Sequence, residues 1–593
     1  MADNPYTIKS LPGVKRDGTR LENGFYVDGQ WCRFQRGLPR KMWGYRTVAV
    51  DLPEISRGLN SYNQNAQVSL ISGGASTLTQ FTLNTSGIVI GKNNRTPSAF
   101  PENASYLWTF DSQFDSVGVY PGGYLLAIPG KNLFDIDSNA TSPLYVGLVT
   151  DTTALVEVTG ATAPTPVSGG VVSLYPYAFL FGSDGYVAWS VPNNPQDWTG
   201  TGSGEANVTA QKIVAGLPLR AGPGNAPAGL FWSLDSLVRC TFVGGDAIFQ
   251  FDTLTSQSSI LSSQCVIEYD GIFYWVGVDR FLMFNGVVRE IPNQLNQNWF
   301  FDNLNYAQRQ KVFAYKVPRF GEIWWCYPRG DATECTHAVI YNLRENTWYD
   351  TELPNGGRSC GEFVSVYEYP FMTGVNVRVN PTPTISTTSV TMGTGLKSFT
   401  VAANLNYAVG MIIVISYNAS NYMTGFISSY TAGTGALVVD VTSIVGSGTY
   451  ASWTIEATGT YNLWQHEYGV DELDGTLINS IPSYFQTADI SFVADPQNAK
   501  NRSMRCTMVE PDFVQSGDMT CQITGRANAR APEVTSEEKI FPAVASTPQE
   551  QVVFFKEQRR EMRFIFKSNV VGGDYQMGQC IAHLDVGDGT VLG

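Results

Sequence analysis

The sequence predicts an all-β protein whose body is a degenerate β-propeller, interrupted by a small inserted β-sandwich or barrel domain. Three observations predict it. A unit of apolar strand, glycine turn and alternating strand recurs from about residue 60 to residue 355. Helix signals are scarce. A stretch of different composition breaks the pattern between residues 375 and 459. Gly is frequent (58), Pro is common (30), and Val, Thr, Tyr and Phe fall in short runs, as expected of many short strands joined by turns.

The recurring unit is clearest in 68–81 (VSLISGGASTLTQF), 124–135 (YLLAIPGKNLFD), 178–189 (AFLFGSDGYVAW), 238–251 (VRCTFVGGDAIFQF) and 272–284 (IFYWVGVDRFLMF). A less regular copy is 337–350 (HAVIYNLRENTWYD). Tight hairpins need a residue that accepts positive φ, which glycine supplies. The turn glycines 73, 130, 182, 244 and 277 lie 57, 52, 62 and 33 residues apart. Four-stranded propeller blades take roughly 40–50 residues, so the spacing reads as uneven blades. The competing reading is a run of unrelated β-meanders. A short helix or turn is expected over 302–313 (DNLNYAQRQKVF).

Between Val375 and Gly459 only Arg378, Lys397, Asp440 and Glu456 are charged, four in 85 residues. Alternating segments at 398–401, 412–417 and 436–441 make this a separate all-β module, with Pro381-Thr382-Pro383 as a linker. If it is removed, 369–374 (YPFMTG) meets 461–468 (YNLWQHEY) and restores one hairpin. The tip of a hairpin is where an insertion disturbs least. The expected organisation is a segment 1–55, a body of 56–374 and 460–480, the module 375–459, and a strand-rich region 481–593. Its candidate strands are 488–493, 508–514, 520–524, 551–555 and 562–567.

Only 15% of residues are charged and the net charge is −14. Sequence-independent grip on DNA requires many Lys and Arg facing phosphates. An acidic chain can instead enclose DNA without sticking to it. Residues 1–50 stand apart, with nine Lys and Arg against four acids, leaving −19 for the remainder. This basic segment reads either as a solvated arm or as a docking element for an acidic surface.

The chemistry of known sites is poorly represented. Nine scattered Cys form no CxxC pair, which leaves them as small buried hydrophobes and fits assembly in a reducing compartment. Gly87–Asn93 lacks the spacing and the Ser/Thr of a phosphate loop, and His466-Glu467 lacks a second His at 470. Asp135–Asn139 copies half a calcium loop without its glycine or terminal Glu. Ser183-Asp184-Gly185 reads as a hairpin turn. Three histidines, at 337, 466 and 583, support no metal centre or triad by spacing. Trp324-Trp325 reads as strand core before it reads as a sugar cleft. No cofactor and no metal are expected. No apolar h-region opens the chain, and no apolar run approaches the roughly 18 residues of a membrane span.

Three stretches carry a resemblance: 27–46 (VDGQWCRFQRGLPRKMWGYR), 463–475 (LWQHEYGVDELDG) and 566–589 (FKSNVVGGDYQMGQCIAHLDVGDG). Together they resemble the tail nozzle, or packaged-DNA stabilisation, proteins of short-tailed bacteriophages (tail tubular protein B-like). The module's Ser389…Gly393-Thr394-Gly395…Phe399-Thr400 and Gly446-Ser447-Gly448-Thr449-Tyr450…Trp453 resemble a β module of many phage virion proteins. The resemblance implies a propeller with a β-rich platform formed by the chain ends. It implies a homo-oligomeric ring, a hexamer, in a virion tail assembled in the host cytoplasm. The ring would dock below the portal adaptor and meet other tail proteins such as fibres or a tail tip. It would continue and close a channel for duplex DNA, without sequence-specific binding and without catalysis. Within 27–46, Arg33, Arg36, Arg40 and Lys41 become candidates for adaptor or subunit docking. The alternatives are a lectin-like receptor binder and a polysaccharide-degrading tail protein.

Overall fold

The structure is a computed structural model. It describes residues 4–586 apart from 19–23, 51, 65–66, 99, 104, 115–122, 131–141, 160–166, 220–225, 378–382, 406, 408, 492–502, 528–529 and 545. The fold is all-β, a β-propeller carrying a β-rich platform and an inserted β module. Six successive four-stranded antiparallel sheets occupy residues 58–352, each a meander paired in chain order. Their first strands are Gly58–Gln64, Leu107–Gln113, Gly170–Leu174, Ile213–Pro218, Ile267–Tyr269 and Phe313–Val317. These strands lie on the inside, where neighbouring blades meet.

The seventh blade closes the ring. Its inner strand, Arg358–Glu362, lies against the inner strands of blades 6 and 1. Phe371–Asn376 and the C-terminal half of the long strand Trp453–His466 follow. The fourth strand is Tyr45–Ala49, delivered from the N-terminal region, pairing Leu463 with Ala49 and His466 with Tyr45, and Glu472–Asp474 pairs with it on the far side. A ring has two ends to join, and hydrogen-bonding the first strand into the last blade leaves neither edge open.

Apolar packing between blades holds the ring. Second strands such as Tyr124–Gly130, Ala228–Ser233 and Glu322–Tyr327 are buried on both faces, so they read as continuous apolar runs. Trp324 and Trp325 show the alternation: Trp325 faces the core shared by blades 4, 5 and 6, and Trp324 faces the core shared with the platform. All nine cysteines are free and buried, as small hydrophobes in these cores.

Within blade 7 the chain leaves after Asn376 and returns in Trp453–His466. Between them Gly395–Thr400, Ala436–Val445, Asn421–Thr431, Met411–Asn418 and the N-terminal half of Trp453–His466 pair in that order. Thr384–Ser386 covers the other edge of Trp453–Ile455. These strands enclose their own core, including Ile413, Ile415, Met423, Val439, Trp453 and Ile455.

The platform unites the chain ends. Asn4–Thr7 pairs with Ile581–Val586, which pairs with Met504–Glu510. Asp28–Gln30 pairs with Ser483–Gln486, and Leu38–Lys41 meets Asp574–Met577 at Arg40 and Gln576. The platform core runs without interruption into blades 6 and 7, joining Phe485, Phe566 and Tyr575 to Trp324, Tyr349 and Trp464.

The short helix or turn expected over 302–313 is present as the 3-10 turn Tyr306–Lys311, and a helix that the local pattern did not indicate precedes it at Gln297–Asn303. Asp17 supplies the physical reason. Its carboxylate accepts the N–H groups of Asn298 (2.8 Å) and Trp299 (2.8 Å), satisfying donors that a first helical turn leaves free. The start is therefore set by a residue some 280 positions away, beyond any local pattern. The 135–139 segment lies outside the described residues.

Candidate functional site

Arg33, Arg36, Arg40 and Lys41 lie on one hairpin. Cys32–Gln35 pairs with Leu38–Lys41 through a two-residue turn in which Arg36 (φ 56°) and Gly37 (φ 75°) both have positive φ. Two positive values match the twist of a tight hairpin. Glu345, at the outer turn of blade 6, accepts the N–H groups of Arg36 (2.8 Å) and Gly37 (3.0 Å). The hairpin is thus pinned to the propeller by backbone, which frees the Arg36 side chain.

The four side chains have different fates. Arg33 is completely buried. It donates to both oxygens of Glu467 (2.7 and 2.5 Å), pairs with Glu322 (2.9 Å), and lies 3.8 Å over the Phe320 ring. Burial opposes its charge, but the two carboxylates outweigh it and hold the guanidinium protonated. Burial pushes the Glu467 carboxyl above its ordinary range, with Arg33 pulling back. Glu322 also accepts from Trp324 Nε1 (2.8 Å) and the Tyr349 hydroxyl (2.6 Å). Lys41 is buried and donates to the Gly573 carbonyl (2.6 Å); burial lowers its pKa, with Asp471 and Asp574 opposing.

Arg33 and Lys41 are therefore engaged inside the chain, joining propeller, N-terminal hairpin and C-terminal region. Arg40 is partly exposed. It donates to Gln35 (2.8 Å) and lies over Trp43 (5.7 Å) and Phe320 (5.8 Å). Arg36 is exposed. Sequence reasoning missed the neighbours that complete this surface. Arg319 lies 4.0 Å over Trp43 and pairs with Glu368, and Arg344 donates to the carbonyls of Arg319 and Pro318. Arg40 and Arg319 thus flank a half-buried Trp43, with Arg344 against the Arg319 carbonyl and Arg36 exposed at the turn of the same hairpin as Arg40. Only the fold brings blade 6 turns beside residues 36–43, so no local signal could have found them.

Behind the hairpin, Gly44 donates to the Gly469 carbonyl (2.8 Å), and a Cβ there would sit 2.1 Å from the Asp471 carbonyl oxygen. His466 stacks on Tyr45 (5.2 Å) and accepts from Arg358 Nε (2.9 Å). Burial, then Arg358, hold the His466 pKa well below its ordinary value, so the ring is neutral. Arg358 itself is pushed down to about 10 by burial.

A concave feature lies at the inner strands of the propeller. A funnel of about 540 Å³ is walled by the inner strands of blades 1, 5, 6 and 7, with Leu217 from blade 4. Among the described residues its carboxylates are Glu268, Asp270 and Glu362, and its one cation is Lys316. Among the described residues no group of three or more His, Cys, Asp or Glu is arranged to hold a metal ion, and no helix is long and apolar enough to cross a membrane.

No family model and no curated protein matches the chain. Among solved structures it is similar to the WD40 β-propeller domain of Doa1, at 11% identity over 56% of this chain and 93% of that one, with a TM-score of 0.34.

Proposed function

We propose that this chain is a structural, non-enzymatic subunit of a short phage tail, forming a nozzle ring below the portal adaptor. One observation carries the reading. The three stretches that resemble nozzle proteins, 27–46, 463–475 and 566–589, lie in three separate parts of the sequence and converge at one junction. Arg33 of the first pairs with Glu467 of the second (2.5 Å). Lys41 of the first donates to Gly573 of the third (2.6 Å). Asp471 of the second accepts the N–H of Gly572 in the third (2.8 Å). Residues that share a resemblance and a contact behave as one unit, and this unit fixes the platform to the propeller. The resemblance thus falls on the joint that sets the shape of the subunit.

The funnel is too small for duplex DNA. The channel of the proposed ring therefore runs between subunits, with an acidic or neutral polar wall along which phosphates slide. Docking falls to the rim of Arg36 and Arg40, because Arg33 and Lys41 are already engaged. A receptor-binding reading draws on the inserted module. Tyr417 and Tyr450 stack at 4.0 Å toward the end of the module's strands away from blade 7, and no charged residue occurs in 416–423 or 444–454.

Native mass spectrometry of the purified chain, alone and with its adaptor, tests the ring. A closed oligomer, a hexamer, is expected, and Arg36→Ala/Arg40→Ala should weaken adaptor attachment more at low salt than at high. A stable monomer that cleaves host polysaccharide would overturn the reading.

A further inference from the structure

The funnel at the inner strands contains an acid with a single hydrogen-bond partner among the described residues. Three buried or half-buried carboxylates elsewhere are answered generously. Glu322 receives Arg33, Trp324 and Tyr349; Glu334 receives Arg57 and Lys311; Glu54 receives Thr77 and three backbone N–H groups. Glu362 ends the inner strand of blade 7, lines the funnel, and takes one hydrogen bond among the described residues, from the Ser61 hydroxyl (3.2 Å). Lys316 is drawn to Glu268 instead, donating to its carbonyl (2.7 Å) and standing 3.6 Å from its carboxylate. Glu362 is half-buried, and with one neutral donor it leaves acceptor sites facing the funnel.

We propose that the funnel binds a small organic cation, an alkylammonium or guanidinium group on a slender chain, with its charge seated against Glu362. The surroundings select that class. Three carboxylates face one already paired lysine, which disfavours anions. Leu217, Val266, Ala314 and Val364 give the walls apolar surface for a methylene chain, and Asp270 stands beside them. A neutral ligand could hydrogen-bond to Glu362 but would leave its charge uncompensated. A concave site combining apolar walls with a few convergent polar groups is the usual form of a small-ligand pocket. This inference is independent of the ring proposed above.

The titratable groups lining the funnel with Glu362 are Tyr62 on blade 1, Glu268, Tyr269 and Asp270 on blade 5, and Tyr315 and Lys316 on blade 6; the Tyr62 and Tyr315 rings turn into the blade cores. Burial pushes the Glu362 carboxyl up to about 7, with Ser61 and Lys316 opposing. The bound cation requires the ionised form, so binding below pH 7 must expel a proton, and affinity must rise with pH. For a group titrating near 7, the ionised fraction climbs from about one tenth at pH 6 to about nine tenths at pH 8, roughly a ninefold gain in affinity.

Butylguanidinium chloride is the probe, titrated into the full chain by calorimetry. Saturable binding is expected, roughly ninefold tighter at pH 8 than at pH 6, with close to one proton released per cation at pH 6. Glu362→Gln should abolish at least nine tenths of the affinity at pH 8 and remove the pH dependence. Proton release from the unaltered chain, followed by pH-stat, needs no variant and decides the matter even if Glu362→Gln folds poorly. Binding that is absent, flat between pH 6 and 8, or within twofold of native in a folded Glu362→Gln chain would overturn the proposal.

Discussion

The platform and the inserted module both join the propeller at blade 7, and they join it in opposite ways. The platform shares a hydrophobic core with blades 6 and 7, is tied to them by buried ions, and provides the strand that closes the ring. The module keeps a core of its own and is continuous with the blade through Trp453–His466. The difference teaches where chain can be changed. A region that shares core and closing strand belongs to one cooperative unit with the ring, whereas a region that only prolongs a strand pair can be altered with little effect on it.

The largest effect should come from cutting the first attachment. Deleting residues 1–50 removes Tyr45–Ala49, opening blade 7, and strips Trp31, Phe34 and Tyr45 from the shared core. Each large buried side chain contributes about 1.5–3 kcal/mol of burial alone, against a total stability of about 5–15 kcal/mol. The truncated chain should show no cooperative urea transition by circular dichroism. A native-like transition would show that the ring closes without its N-terminal strand.

Next is the buried ion junction. Arg33→Met leaves Glu322 and Glu467 without their cation and should cost about 3–5 kcal/mol in urea unfolding. Adding Glu467→Gln should recover part of that loss, because the two changes act on one contact. A loss under about 1 kcal/mol in the single variant would mean that the junction does not hold platform to propeller.

A smaller effect concerns pH. His466 is neutral in the folded chain, with its pKa well below the unfolded value near 6.5. A depressed histidine means the unfolded state binds the extra proton, so its contribution to stability is full above pH 6.5 and declines as pH falls below it. The decline is about 1.4 kcal/mol per pH unit for this group. Urea midpoints at pH 6.5 and 5 should separate accordingly, and His466→Gln should reduce the separation. An unchanged slope in that variant would remove His466 from the balance.

How much of this was legible in the sequence depends on the range of the forces involved. Strand alternation and turn glycines are local, and they reveal an all-β propeller. The uneven glycine spacing has a structural cause. Gly73, Gly130, Gly182 and Gly277 lie at the turn between second and third strands or at its edge, but Gly244 lies between the third and fourth strands of blade 4. The equivalent blade 4 turn is Leu234–Ser236, without a glycine, and using it makes the intervals more even. The charge of residues 1–50 was readable, but the fate of each arginine was not. Arg33 and Arg36 are three residues apart; one is sealed by acids more than 280 positions away, and the other meets solvent. Glu362 gave no local signal, because its isolation depends on Lys316 turning to Glu268.

The smallest effect should come from removing the module. Phe371 pairs with Gln465, Met372 with Trp464, Thr373 with Leu463 and Gly374 with Asn462, so the two flanks are already adjacent hairpin strands. Deleting 375–459 and joining Gly374 to Thr460 through a short glycine-rich turn asks only for a tight turn across one antiparallel pair. What is lost from the body is slight: the Val375 and Asn376 rungs, and the hydrogen bond from Asn376 to Asp474 (2.7 Å). What is retained is the whole second strand up to Gly374, the third strand from Thr460, and Phe371, Leu463 and Trp464 in the cores. The module's own residues, including Trp453, Ile455 and Ile413, pack against one another and leave together. The shortened chain should therefore unfold cooperatively within about 1 kcal/mol of the parent, the size of one lost hydrogen bond. It should also reach the same oligomeric state by native mass spectrometry. A deletion variant that is insoluble or lacks a cooperative transition would mean that the module helps hold blade 7 together, and the contrast between the two attachments would fail.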